Sequence, residues 1–107
     1  MTGRRSQSKG GRGERELVEL AKSAGFHHAR RNFASGAVGG GDVTGITGLH
    51  VEVKRTERFR LWDAWAQATG DCPSGFDPVV FTRRNGSAWL AVVDADVFLN
   101  TWARGLL

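Results

Sequence analysis

With 107 residues the chain has room for one domain around a single small core, which four tryptophans, six phenylalanines and a scatter of valines can fill. Its net charge is +4, and residues 1–15 carry all of it, so the remainder balances to zero; a basic end on a neutral body points to a polyanionic partner. A lone cysteine, Cys72, excludes a disulfide scaffold and fits a reducing cytoplasm, and no apolar run suggests a leader or a membrane span, so no membrane partner is expected.

Residues 1–11 are rich in Gly, Ser and Arg without apolar periodicity, which predicts a flexible basic arm ahead of one domain over 12–107. A helix is predicted from near Arg12 to a C-cap at Gly25, with Leu17, Val18, Ala21 and Ala24 as its apolar stripe. Glu14 precedes Leu17 and Val18 by three and four positions, so it projects from the side that packs. His27 and His28 are adjacent and point apart, which makes a poor ligand pair. A hairpin is predicted over Gly40–Lys54, then a helix from Phe59 to Thr69 with Leu61, Trp62, Trp65 and Ala68 on its apolar side. Pro78–Thr82 and Ser87–Val93 read as strands joined around Asn85-Gly86, a strong hairpin signal. Asp94 or Asp96 then caps a last helix over about 95–104.

The first hairpin carries the chemistry. Val51 and Val53 alternate with His50, Glu52 and Lys54, giving the strand one apolar and one polar face. With Ile46-Thr47-Gly48 as a three-residue turn, Asp42 lies opposite Glu52 and Thr44 opposite His50. Two carboxylates that close repel unless a cation sits between them, and oxygen donors suit a hard ion such as Mg²⁺. Lys54 points to the same side. A four-residue turn over Gly45–Gly48 would instead send Asp42 to the Val51 face, so the site depends on register.

Lys9-Gly10, Glu14-Arg15-Glu16-Leu17, Gly25-Phe26, Ser35, Asp42 and Glu52-Val53-Lys54, in that order, resemble the archaeal-type Holliday junction resolvases of the PD-(D/E)XK nuclease superfamily, which have close relatives in phage genomes. The resemblance spans roughly residues 9–95. It implies an α/β restriction-endonuclease-like core, a central mixed sheet of about five strands flanked by helices in the order αβββαββα. It also implies a catalytic cluster of Glu14, Asp42, Glu52 and Lys54. Asp42, Glu52, the Val53 carbonyl and Glu14 would hold Mg²⁺, with Mn²⁺ able to substitute. Gln67 falls where related nucleases place a glutamine near the site. Gly41 stands where the family usually has a proline, and residues 35–41 are longer and richer in glycine than the family pattern.

Basic residues supply the expected contacts to DNA: Arg4, Arg5, Lys9, Arg12, Arg15, Arg30, Arg31, Arg55 and Arg58, with Ser35 added by the resemblance. The function expected is Mg²⁺-dependent, structure-selective endodeoxyribonuclease activity on branched or duplex DNA, resolving four-way junctions as a homodimer in the cytoplasm, that of the host for a phage-encoded chain. Two alternatives remain: a nuclease of the same fold acting on flaps, nicks or restriction-like sites, and a non-catalytic DNA-binding module.

Overall fold

The computed structural model describes residues 2–33 and 41–106, with side chains from residue 11 to residue 105 within those spans. The elements run α1 (Thr2–Ser23), β1 (Arg30–Arg31), β2 (Val43–Thr44), β3 (Leu49–Arg55), α2 (Leu61–Asp71), β4 (Asp77–Arg83), β5 (Leu90–Val92) and α3 (Ala95–Leu106). They form one five-stranded sheet in the order β1-β2-β3-β4-β5, antiparallel except for the parallel pair β3–β4. The expected α/β class, mixed sheet and element order are present.

The helix α1 starts at Thr2, ten residues ahead of the predicted start, so the expected arm continues the packed helix. Nothing in its pattern announces this: residues 2–11 have no apolar stripe, and each of their three glycines costs about 1 kcal/mol in a helix. Once residues 12–23 are anchored, each further turn propagates without a new nucleus. The other end closes as predicted. Gly25 N–H donates to Lys22 O and Phe26 N–H to Ala21 O, both at 3.0 Å, a Schellman motif with Gly25 at φ 112°.

The sheet buries both faces. Val43, Val51 and Val79 pack under Leu17, Val18 and Ala21 of α1, with Val53 and Phe81 alongside. On the other side Val80 packs with Ala64 and Ala68 of α2, flanked by Phe59, Trp65 and Val92. Each fully buried valine or leucine contributes about 1.5–3 kcal/mol. Strand alternation therefore puts His50, Glu52, Lys54 and Thr82 on the α2 side, away from α1. The parallel pair needs a crossover, and α2 supplies it.

One carboxylate pins α1 to the strands. Glu16 meets Arg83 Nη1 at 2.8 Å, Arg12 Nε at 3.5 Å and Arg55 Nε at 3.6 Å. Arg55 and Arg83 are register partners on β3 and β4, so their cations stand side by side and require an anion. The last helix, α3, is capped by Asp94, whose Oδ1 accepts from the N–H groups of Asp96 and Val97 at 2.9 and 3.2 Å. Beyond that cap it leaves Phe98, Leu99 and Trp102 exposed.

Candidate active site

The register of β2 on β3 decides whether the carboxylates meet. Val43 pairs with Val51, which sets Asp42 opposite Glu52 and Thr44 opposite His50. The turn is the expected one: Leu49 N–H donates to Ile46 O at 3.0 Å, with Gly48 at φ 81°. The alternative four-residue turn is absent. Just ahead of Asp42 the chain comes hard against β3, where a Cβ on Gly41 would lie 2.5 Å from Val51 O, at φ 57°. A proline here would clash with that backbone, so glycine is required for this approach. Asn32 secures the same stretch. Its N–H donates to Asp42 O at 2.9 Å and its Nδ2 to Gly41 O at 3.0 Å.

Each carboxylate is then held differently. Asp42 Oδ2 accepts the Val53 N–H at 2.7 Å, a contact made by side chain where a ladder bond would otherwise run. This leaves the second Asp42 oxygen for other partners. Glu52 is only 5% exposed. Burial first, and then the Asp42 carboxylate beside it, push Glu52 up from 4.5 to about 7; Lys54 pulls the other way and Asp71 adds a smaller upward push. A protonated Glu52 also hydrogen-bonds Asp42, which favours keeping the proton.

The sequence reading does not single out His50 as a site residue. It is 4% exposed, and its Nε2 lies 3.2 Å from Glu52 Oε1, close but off the hydrogen-bond line, so among the described residues this buried nitrogen has no hydrogen-bond partner. Its position two residues before Glu52 is the available signal. On the open side, Lys54 Nζ donates to Gln67 Oε1 at 3.0 Å, so α2 brings the glutamine to the strand lysine. Thr82 Oγ1 donates to Lys54 O at 2.8 Å and fixes the backbone beneath it. A cleft of about 360 Å³ opens here, lined by Lys54, Arg58, Arg60, Asp63 and Gln67.

Other expected residues fall elsewhere. Glu14 accepts from Arg31 Nε at 2.8 Å, and α1 covers the sheet face opposite Glu52, so its described partner is this arginine and not the Asp42/Glu52 pair. Arg55 faces inward, its side chain 6% exposed; it meets Glu16 and donates to Asn85 Oδ1 at 2.9 Å and Arg83 O at 3.4 Å. It is a structural arginine here, because its odd-numbered strand position points beneath α1. Arg12, Arg15, Arg30 and Arg58 are exposed, and Arg12 leans on Glu16. Ser35 and the side chains of Arg4, Arg5 and Lys9 lie outside the described residues.

Among the described residues no three His, Cys, Asp or Glu side chains gather as a metal site. Two adjacent carboxylates still fit Mg²⁺, which binds through one or two carboxylates and keeps several waters. Within the described residues no helix is long and apolar enough to cross a membrane. Comparison with family models, with curated proteins and with solved structures finds no match to this chain.

Proposed function

We propose that the chain is a Mg²⁺-dependent, structure-selective endodeoxyribonuclease with a restriction-endonuclease-like core, acting on four-way junctions as a homodimer. The observation that carries this reading is the cross-strand approach of Asp42 and Glu52, with Lys54 on the same sheet face. Burying Glu52 against a half-buried Asp42 is costly, and structural stability alone gains nothing from it. The element order and the motif order of the resolvase resemblance add support.

In this reading Asp42 and Glu52 hold the ion, with the Val53 carbonyl as a third oxygen. When bound, Mg²⁺ supplies Lewis-acid polarisation of the phosphodiester and a more acidic water. The Val53 N–H fixes the Asp42 carboxylate in one orientation, leaving its second oxygen to face the pair. Lys54 offsets charge that builds on the phosphate oxygens, and Gln67 keeps the ammonium pointed at the cleft. Arg58, at the cleft wall, takes a neighbouring phosphate. Glu14 acts by holding Arg31 in place; the catalytic role implied by the resemblance would require its carboxylate to leave that arginine.

The test is incubation with a labelled four-way junction, a flap, a nicked duplex and an intact duplex, each with Mg²⁺ and with EDTA. Paired nicks in the junction, lost in EDTA and in Asp42→Asn and Glu52→Gln, are expected. Preference for flaps or nicks would keep the chemistry and change the substrate. Binding without metal-dependent cleavage by the parent chain would leave a DNA-binding module.

A further inference from the structure

A second cleft, larger than the one at Lys54, lies on the opposite side of the sheet. It has a volume of about 760 Å³ and runs between α1, the edge strand β1 and its neighbour β2. Ligand pockets typically measure about 300–1,000 Å³, so this cleft has room for a nucleotide. Arg15, Lys22, Arg30 and Arg31 line it against Glu19 as the sole acid among its lining residues, over a floor that includes Val18 and Ala29. Phe33 stands at its margin and is 85% exposed, the most of the large apolar residues described. The Arg31 guanidinium sits 4.6 Å from the centre of that ring. Arg31 is itself fixed from behind by Glu14 at 2.8 Å.

We infer that this cleft takes one unpaired nucleotide of a nucleic acid, its base stacked on the outward face of Phe33 and its phosphate held by Arg15 and Lys22. The inference rests on the nuclease reading for the identity of the polyanion. Arg31 occupies one face of the ring and the Glu14 carboxylate holds it there; among the described residues no cation or second ring stacks on the other face. An aromatic face beside a run of cations is the arrangement that binds unpaired bases without regard to sequence. A base within an intact duplex is stacked on its neighbours and has no free face to offer. Because the cleft lies across the sheet from Glu52, its occupant is a second segment of the substrate and not the strand being cut. Selection for branched or frayed DNA follows from needing both segments.

Binding in EDTA isolates this site from cleavage. The probes are a duplex with one unpaired 2-aminopurine nucleotide and the same duplex fully paired, followed by anisotropy and by 2-aminopurine emission. Wild type should bind the unpaired probe more tightly and quench its emission. Phe33→Ala, an exposed substitution that spares the core, should lose at least about fivefold in affinity for the unpaired probe, the lower end for one stacked base, with the paired duplex unchanged. Phe33→Trp should restore both signals. Equal affinities of wild type and Phe33→Ala for the unpaired probe, or equal losses on both probes, would overturn the inference. Stacking without metal-dependent cleavage would sink the nuclease reading alone, and cleavage without stacking would sink the cleft alone.

Discussion

Glu52 is an acid that folding makes harder to ionise. Because the folded chain holds this proton more tightly than the unfolded one, the stabilisation is complete below pH 4.5 and is lost as pH rises through about 7. Metal-free protein should therefore lose a few kcal/mol of stability across that window, since each tenfold change in proton affinity is worth about 1.4 kcal/mol. Glu52→Gln should flatten the slope and stabilise the protein at pH 8, while abolishing cleavage; urea melts at pH 5 and 8 measure the first, and a steep slope in the variant would contradict the assignment. Glu16 makes the opposite case. Its removal leaves the buried Arg55 and its neighbour Arg83 side by side without an anion. Glu16→Ala should cost about 2–4 kcal/mol, near the range for breaking a buried pair and a large part of a small domain's total. Urea unfolding that shifts by less than about 0.5 kcal/mol would show the hub to be ornamental.

Among the elements, α1 bears most on binding, since its first turns carry Arg4, Arg5 and Lys9. Deleting residues 1–9 spares Gly11, which packs against Arg31. The deletion should weaken binding to every DNA shape and lower the slope of log affinity against log salt by roughly 0.9 for each phosphate that the shortened helix no longer neutralises. A salt titration with an unchanged slope would show that these turns do not touch DNA. The β2–β3 hairpin is legible in the sequence because alternation, a turn glycine and both acids fall within one short stretch. The Schellman end of α1 and the Asp94 cap are legible for the same reason, being local. What the sequence hides depends on distant neighbours. Arg55 reads as a free cation until the parallel register sets it beside Arg83 and under Glu16. Glu14 reads as a site carboxylate until the two-residue strand β1 delivers Arg31 to it. Phe33 offers no periodicity at all, because its role depends on a single stacked arginine.

At the scale of the whole molecule, α3 presents three large apolar side chains along one helix. Phe98, Leu99 and Trp102 are exposed, and Phe98 stacks on Trp102 with ring centres 5.9 Å apart. The helix carries Asp96 in its first turn and Arg104 in its last. Two copies packed antiparallel about a two-fold axis near residue 100 would set Phe98 of each against Trp102 of the other, with each Asp96 near an Arg104. That self-complementarity is what an isologous contact requires. A homodimer through α3 would also supply the second Asp42/Glu52 pair that two nicks in one junction demand. Light scattering at micromolar concentration should give twice the chain mass. Trp102→Asp should give monomers that still fold and still nick, but no longer make coupled nicks in a cruciform plasmid. A dimer that survives this substitution would place the interface elsewhere.

The crossover through α2 also orders events in time. The turn that joins β2 to β3 is short, so Asp42 and Glu52 can meet early, whereas β3 finds β4 only after a long loop closes. The two acids can therefore come together while still hydrated, and folding kinetics test whether the burial that resists ionising Glu52 follows the rate-limiting step. Raising the pH from 5 to 8 should accordingly speed unfolding and leave the refolding rate nearly constant, a split that stopped-flow chevrons resolve. The carboxylate pair then limits how long the native state lasts, with little influence on how quickly it is reached.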